Sequence, residues 1–131
     1  MIALDASAVV AVALDEPEAE AFGRAIAARE AVIGAPSLFE TRLVLTDRMP
    51  SFAEAFLDGF LVSPELRVVA FTFEMYRVAA DAFEKFGKGR GHPAKLNFGD
   101  CMAYAVARHY GVPLLYKGND FSHTDIPSVP L

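Results

Sequence analysis

Four acidic residues occur where an uncompensated charge would be unfavourable. Asp5 is the one charge in an apolar stretch over residues 1–14, and Glu40, Asp100 and Asp120 recur in comparable settings. A carboxylate among apolar groups loses hydration worth roughly several kcal/mol unless a cation or hydrogen-bond donors replace the lost water. Carboxylate oxygens suit Mg²⁺ or Mn²⁺, and the sequence has no Cys/His cluster with zinc spacing. The four acids therefore form a candidate metal site.

Each of these acids also has a purely structural explanation when taken alone. Asp5 could cap the helix that follows it, because Asp is among the favoured N-caps. Asp100 stands three residues after Asn97, which is the spacing of a capping box. Glu40 would gain from the macrodipole in the first turns of its helix, and Asp120 lies in an ordinary turn sequence. The metal hypothesis therefore depends on whether the fold brings the four together.

Strand and helix patterns alternate along the chain. Short apolar strands are predicted at residues 2–4, 31–35, 66–71 and 114–116. Helices are predicted at residues 7–14, 17–29, 36–48, 72–86 and 97–111, with a further helix capped by Ser51. Strands separated by helices predict an α/β fold of three layers, in which helices cover both faces of a parallel sheet.

This topology places the four acids at one edge of the sheet. Ligand sites in such folds lie outside the carboxyl ends of the strands. Asp5 ends the first strand, Glu40 follows the second within the first turns of a helix, and Asp120 follows the fourth. Asp100 falls in the first turn of its own helix. We therefore expect all four carboxylates to face a common cleft.

Length and composition limit the class of protein. The 131 residues are 53% hydrophobic and 22% charged, which suits a single domain spanning residues 1–131. Cys101 is the one cysteine and cannot form an internal disulfide, and the first residues lack the basic segment of a signal peptide. No apolar run reaches the roughly 18 residues of a spanning helix. We expect a cytoplasmic protein with no membrane role.

The net charge of −5 argues against a nucleic-acid binder when taken alone, but the cations are unevenly distributed. Lys85, Lys88, Arg90 and Lys95, with His92, fall in one Gly- and Pro-containing segment that has no acid. Such a segment beside an acidic pocket would suit an RNA backbone. The alternative is a solvated, mobile loop.

Other polar and aromatic residues have simpler explanations. Ser7 has no histidine positioned to activate it as a nucleophile, so a hydrogen-bonding role is favoured. Cys101 is interpreted as a small core residue. The helix predicted at 72–86 carries four aromatic residues at helical spacing, which favours a core face or a dimer interface: Phe73, Tyr76, Phe83 and Phe86.

Several motifs in order along the chain resemble one known family. They are Asp5-Ala6-Ser7-Ala8, an isolated Glu40, Asn97-Phe98-Gly99-Asp100-Cys101, and Leu114-Leu115-Tyr116-Lys117-Gly118-Asn119-Asp120-Phe121 followed by Thr124-Asp125. Together they resemble the PIN-domain ribonucleases and, more narrowly, the VapC toxins of bacterial VapBC toxin–antitoxin systems. The resemblance implies a PIN-like three-layer α/β/α sandwich with a short central parallel sheet of four to five strands.

The resemblance also implies a function and a set of partners. It predicts a metal-dependent endoribonuclease, the toxin of a type II toxin–antitoxin module, whose acidic quartet corresponds to Asp5, Glu40, Asp100 and Asp120. Ser7 corresponds to the family's polar residue two places after the first Asp. The expected partners are a structured RNA of the tRNA or ribosomal RNA class, a second copy of the chain, and a VapB-like antitoxin whose C-terminal segment fills the groove near the acids.

A consistent chemistry follows for Mg²⁺ or Mn²⁺ at this site. The ion would lower the pKa of a coordinated water and stabilise charge on the phosphorane oxygens. Asp5, Asp100 and Asp120 are the expected direct ligands, and Glu40 would bind a second metal or orient the water. Two metals would stand about 3.5–4 Å apart. Asp125 is close enough in sequence to share the fourth position.

Four residues are expected to contact the substrate. Arg42, Lys95 and Lys117 are candidate phosphate contacts because each adjoins a segment that carries a metal-ligand candidate. Ser7, two residues after Asp5, is the fourth.

Two other functions stay open on the sequence alone. A receiver-like or phosphoryl-transfer domain would use Asp5 and Lys117, with Lys117 sensing the phosphate. However, such a domain needs an acidic pair at the first strand end and an Asp after the third, where the chain has Phe71-Thr72-Phe73. A catalytically silent PIN-like binding module is the second alternative.

Overall fold

One parallel sheet organises the chain. The computed structural model describes residues 1–131. Four strands run parallel in the order β3-β2-β1-β4. They are β1 (Ile2–Leu4), β2 (Ala31–Gly34), β3 (Leu66–Val69) and β4 (Leu114–Leu115). The predicted parallel sheet is thereby confirmed, at the lower of the two expected strand numbers.

Six helices cover the two faces of the sheet. They are α1 (Ala6–Ala13), α2 (Ala19–Ala27), α3 (Ala35–Arg48), α4 (Ala53–Leu61), α5 (Phe73–Phe86) and α6 (Phe98–Tyr110), and a 3₁₀ turn follows at Phe121–His123. Successive strand side chains point to opposite faces. Ala3, Val32 and Leu114 pack with α5 and α6, whereas Ile2, Ile33 and Leu115 pack with the first four helices. The predicted three-layer arrangement is confirmed.

The sequence signals at α5 and α6 are also confirmed. The Thr72 hydroxyl accepts from Met75 N at 3.3 Å and caps α5. Asn97 caps α6, and Gly111 ends it with a left-handed φ of 64°, which glycine adopts without steric strain. Cys101 is buried within α6, as expected of a core residue.

Several predicted boundaries are wrong by a few residues. Helix α2 begins at Ala19 instead of Pro17, because residues 17–18 form a turn. Strand β3 ends at Val69, two residues early, and β4 ends at Leu115. Ser51 does not cap α4, because Phe52 occupies the N-cap position and no side chain caps the first turn.

The order of the strands creates a crevice beside β1. The chain moves from β1 outward through β2 to β3 and then returns to place β4 on the other side of β1. The chain therefore leaves β1 toward β2, whereas β4 lies on the opposite side of β1. At such a reversal of strand order, a crevice opens between the carboxyl ends of the two strands. This crevice lies where Asp5 follows β1 and where the segment carrying Asp120 follows β4.

None of the helices combines the length and the apolar character needed to cross a membrane.

Candidate active site

Asp5 is held at the junction of β1 and α1. Its backbone N–H donates to Leu115 O at 3.0 Å, which fixes the end of β1 against β4. Its carboxylate is the N-cap of α1 and accepts from Ser7 N at 3.0 Å and from Ser7 Oγ at 2.5 Å. The residue is only 5% exposed. Burial raises the pKa of Asp5, although the Ser7 hydrogen bonds oppose that effect, and nearby Asp120 raises it further.

Ser7 connects two of the segments that form the crevice. Its hydroxyl donates to Asp5 and accepts from the backbone N–H of Lys117 at 3.0 Å. Ser7 therefore ties the exit of β4 to the start of α1, as a hydrogen-bonding role requires. Its predicted contact with substrate stays a prediction.

Asp100 lies in the first turn of α6 within a reciprocal capping box. Asn97 N donates to Asp100 Oδ2 at 3.0 Å, and Asp100 N donates to Asn97 Oδ1 at 2.8 Å. Burial raises the pKa of Asp100 from 3.8 to about 6; the Asn97 hydrogen bond opposes this effect, and Asp5 and Asp120 add to it. The capping role and the placement beside Asp5 are thus compatible.

Glu40 reaches the same cleft from α3. Burial raises the pKa of Glu40, and the charges of Asp5 and Asp100 raise it further. Its carboxylate lies against the backbone of Gly99, where an added Cβ would stand 2.5 Å from Glu40 Oε1. Only glycine fits at position 99 with Glu40 in this place. Local sequence gives no signal for this role of Gly99, because the need for a residue without Cβ depends on a contact across the fold.

Asp120 completes the set at the start of the 3₁₀ turn. It is exposed, and its charge acts on both Asp5 and Asp100. The structure therefore brings the four predicted acids to one edge of the sheet, where the charges of Asp5 and Asp100 act on Glu40 and that of Asp120 acts on Asp5 and Asp100. None of the ion pairs in the structure involves any of them. The cluster has no countercharge from the protein itself.

The donor chemistry of this cluster fits a hard divalent cation. Carboxylates that are desolvated, repel one another and lack a basic partner are stabilised by Mg²⁺ or Mn²⁺. As the side chains stand, however, no three His, Cys, Asp or Glu groups are close enough to hold an ion together. Mutual repulsion separates like charges, so a bound cation would have to draw these side chains inward.

Asp125 is committed to other partners. Its carboxylate accepts from the Tyr104 hydroxyl at 2.6 Å and pairs with Arg108, both of α6. Partial burial would raise the pKa of Asp125, but the Tyr104 hydrogen bond and the Arg108 charge lower it overall. These contacts give Asp125 a structural role in tying the segment after Asp120 to α6. Spacing along the sequence gave no signal for Tyr104 or Arg108.

The predicted phosphate contacts occupy different surroundings. Lys117 Nζ lies 3.2 Å from Glu16 and 3.6 Å from Glu18, so its charge is already paired. Arg42 is exposed, and its Nε donates to Thr46 Oγ1 at 3.3 Å, one turn further from Glu40 along α3. Lys95 is exposed and forms no ion pair. Of the three, Lys95 is the one free to meet a phosphate without exchanging partners.

An apolar surface adjoins the acidic cleft. Phe98, 80% exposed at the start of α6, separates two grooves. The groove of about 270 Å³ contains Glu40 and Gly99 together with Phe39 and Leu43. The groove of about 380 Å³ is entirely apolar and runs along α5. We call this surface the apolar patch, defined by Phe39, Leu43, Tyr76, Phe83 and Phe98.

Fold and site together define the class. A parallel α/β sandwich with its acids at the strand ends matches the PIN domain, and the profile of that family matches residues 2–127. The chain is 40% identical over 124 residues to ribonuclease VapC28 of Mycobacterium tuberculosis, covering 94% of this chain and 93% of that protein. The chain therefore belongs to the PIN-domain family and, within it, to the VapC proteins.

Solved structures agree on the fold. Mycobacterium tuberculosis VapC20, described as a sarcin–ricin loop cleaving toxin, superposes with a TM-score of 0.79 at 20% identity, covering 98% of each chain. VapBC2 from Rickettsia felis, solved with a promoter DNA fragment, gives 0.74 at 15% identity, covering 98% of this chain and 96% of that one. The PIN-like architecture expected from the motifs is thereby confirmed.

Proposed function

We propose that this protein is a Mg²⁺- or Mn²⁺-dependent endoribonuclease that hydrolyses RNA phosphodiester bonds as the toxin of a type II toxin–antitoxin module. The observation that carries the proposal is the cluster of Asp5, Glu40, Asp100 and Asp120 at the crevice beside β1, with no basic partner. Kinship with proteins named ribonucleases supports the reaction class. The description of VapC20 as cleaving a ribosomal RNA loop supports a structured RNA substrate.

Asp5, Asp100 and Asp120 would hold the cation, and Glu40 would hold a second one or orient the attacking water. When bound, the cation would supply Lewis-acid activation of that water and charge stabilisation at the phosphate. Ser7 and Asn97 keep the Asp5 and Asp100 carboxylates oriented by hydrogen bonds. Because each of those bonds occupies one carboxylate oxygen, the other oxygen is left for the ion.

Glu40 is suited to act as a general base, which accepts a proton during the reaction. Burial and the neighbouring carboxylates raise its pKa, which makes it a better base than an exposed glutamate. The raised pKa of Asp100, about 6, means that protons compete with the cation at acidic pH. Activity is therefore expected to fall as the pH drops below this value.

The proposed partners are an antitoxin and a second copy of the chain. VapBC2 is a structural relative whose name denotes a toxin–antitoxin pair, which supports a VapB-like partner here. The apolar patch supports self-association, because a soluble chain seldom exposes several large apolar side chains together without a partner. The α5 aromatics Tyr76 and Phe83 face outward, whereas Met75 and Ala82 fill the core, which favours the dimer-interface interpretation over the core one.

The test is cleavage of purified tRNA and ribosomal RNA with Mg²⁺ or Mn²⁺, with EDTA as the metal-free condition. Asp5→Asn and Asp100→Asn should each lower the rate by more than about 100-fold, because even outer-shell partners of metal ligands contribute roughly 10–100-fold. Asp58→Asn, an exposed acid on α4, is the matched control and should cleave as the wild type does.

The outcomes separate the alternatives. A wild type that leaves RNA intact while Mg²⁺ raises its melting temperature would point to a catalytically silent module. Incorporation of label from a small phosphate donor, lost in Asp5→Asn, would favour the receiver-like alternative. Cleavage that survives EDTA and both active-site substitutions would rule out the proposed site.

A further inference from the structure

The loop between α5 and α6, residues 87–96, is closed at its base by backbone hydrogen bonds. Lys88 N donates to Leu96 O at 2.9 Å, and Leu96 N donates to Phe86 O at 2.9 Å, so the two ends of the loop are closed by backbone pairing. Within the loop, Ala94 and Leu96 are completely buried and join the core. Gly89 and Gly91 have φ values of 84° and 75°, which L-residues rarely adopt. These contacts give the loop a defined backbone conformation.

This loop presents cations without internal partners. Lys88, Arg90 and Lys95 are exposed, and none forms an ion pair. Of the other nine Lys and Arg residues, three form ion pairs, namely Arg24, Arg108 and Lys117, and the unpaired ones are spread from residue 29 to residue 85 instead of grouped in one segment without acids. In a chain of net charge −5, such a concentration of free positive charge is a local exception. It is the kind of surface that phosphates recognise.

The loop leads directly to the candidate active site. Its last residue precedes Asn97, which caps α6 and hydrogen-bonds Asp100. The paired positions of α5 and α6 show that they run antiparallel: Glu74 meets His109 at one end and Phe86 meets Tyr104 at the other. The end of α5 and the loop therefore lie at the same end of α6 as Asp100.

We propose that the loop of residues 87–96 is a preformed docking surface for the RNA phosphate backbone, with Lys88, Arg90 and Lys95 as its contacts. The inference rests on the proposed ribonuclease function and specifies where its substrate binds outside the acidic cleft. The acids repel the RNA they act on, so an adjacent array of cations offsets that repulsion. Because the backbone fixes the loop in advance, little ordering is needed on binding. Lys85 is left out, since it shares a cleft with Asp81 and Asp125.

The test compares the double variant Lys88→Gln/Arg90→Gln with the control Arg24→Gln/Arg48→Gln. Both remove two exposed positive charges, but Arg24 lies on α2 and Arg48 at the far end of α3 from Glu40. Binding of fluorescently labelled bulk tRNA is measured by anisotropy in EDTA, where the proposed hydrolysis does not proceed, over a range of salt concentrations. Cleavage of the same RNA is then measured with Mg²⁺.

The loop variant should lose on the order of tenfold in affinity, with a salt dependence shallower by about 1–2, because each lost phosphate contact removes roughly 0.7–0.9 from the slope. In cleavage, its KM should rise while kcat is retained. The melting temperature should be unchanged, because the loop is held by backbone hydrogen bonds and not by these side chains. The control should bind within about twofold of the wild type by the same reasoning.

The possible failures are distinct. If both double variants bind tRNA equally, the loop does not contact RNA and the inference is overturned, even when the wild type cleaves. If the loop variant alone loses binding and the wild type shows no cleavage with Mg²⁺, the docking surface is supported and the proposed function is lost.

Discussion

At the scale of single residues, the fold holds several acids in one cleft although their like charges repel one another. Asp5 is buried at a strand end with Ser7 fixing its orientation. Glu40 projects from α3, and its carboxylate lies against the backbone of Gly99. Each of these placements raises the pKa of the acid concerned, because burial disfavours the ionised form. The cluster is therefore unfavourable by itself, and the proposed cation would offset its repulsion.

Gly99→Ala tests the approach of Glu40 to α6. The new Cβ would stand 2.5 Å from Glu40 Oε1, so the carboxylate has to move, and it can do so because it ends a flexible side chain. We expect a folded protein whose apparent Mg²⁺ affinity falls roughly tenfold, as for loss of an outer-shell contact. A Mg²⁺ titration of the melting temperature measures this. Gly59→Ala, which meets no atom within 4 Å, is the control. Equal Mg²⁺ responses in both variants would contradict the role assigned to Gly99.

The raised pKa of Asp100 predicts that this residue contributes to stability at low pH and loses that contribution as the pH rises, which is the reverse of the usual behaviour of a carboxylate. Its pKa is 3.8 in the unfolded reference and about 6 in the fold, so the folded protein keeps a proton that the unfolded chain releases. The stabilisation from this group is complete below pH 3.8 and is lost as the pH rises through about 6.

Removal of the titrating group should make this dependence visible. In metal-free buffer, Asp100→Asn should gain melting temperature relative to the wild type as the pH rises through this window, because the wild type alone loses this contribution. Asp58→Asn should follow the wild type. A constant difference between wild type and Asp100→Asn across the window would contradict the shifted pKa.

At the scale of elements, α6 connects the parts of the site. Asp100, Tyr104 and Arg108 follow one another at intervals of four residues and so share one face of the helix. Asp100 belongs to the acidic cluster, while Tyr104 and Arg108 hold Asp125. Because Asp125 follows Asp120 by five residues, this anchorage limits where the Asp120 segment can lie. One helix thus sets the relation between two of the expected metal ligands.

Tyr104→Phe should loosen that relation while keeping the buried ring. Loss of the hydrogen bond to Asp125 should lower stability by about 0.5–1.5 kcal/mol. We expect the apparent Mg²⁺ affinity to fall roughly tenfold, in the range for outer-shell positioning groups. Tyr76→Phe, whose hydroxyl forms no hydrogen bond within the chain, is the control. If the stability falls but the Mg²⁺ response matches that of the control, then Tyr104 supports the fold alone and does not position Asp120.

At the scale of the whole molecule, a basic surface and an apolar surface flank the acidic crevice. The loop of residues 87–96 is basic, and the apolar patch carries side chains such as Phe39 and Phe98 that are 64% and 80% exposed. Both surfaces adjoin α6, and the patch extends to Glu40 through the smaller groove. Self-association through the patch would therefore place a second copy close to Glu40.

Phe83→Glu should convert the proposed dimer into a monomer. A charge in the apolar groove along α5 has no basic partner there and would lose hydration on association. Phe52→Glu, at a position at the start of α4 that is exposed like Phe83 but lies outside the patch (64% against 42%), should stay dimeric. Sedimentation velocity measures the mass of each. A wild type that sediments as a monomer at micromolar concentration would remove the patch as a self-association surface.

Local patterns were enough to predict most of the fold and the identity of the clustered acids. Short apolar strands between helices predict a parallel sheet, and the strand ends then bring Asp5, Glu40 and Asp120 to one edge. The caps at Asn97 and Gly111 were equally readable, because capping depends on residues adjacent in sequence. The motifs around these residues resembled the family to which the chain belongs.

Contacts between residues distant in the sequence determine the features of the site that local patterns could not predict. Gly99 is required by a carboxylate from α3, Asp125 is drawn to α6 by Tyr104 and Arg108, and Lys117 is paired with Glu16, which follows α1. Each of these outcomes joins residues far apart in the chain, so no local spacing encodes it. The sequence alone determined which acids gather, because strand ends fix backbone position. Only the tertiary structure decided which neighbours hold them, because that depends on the direction and packing of individual side chains.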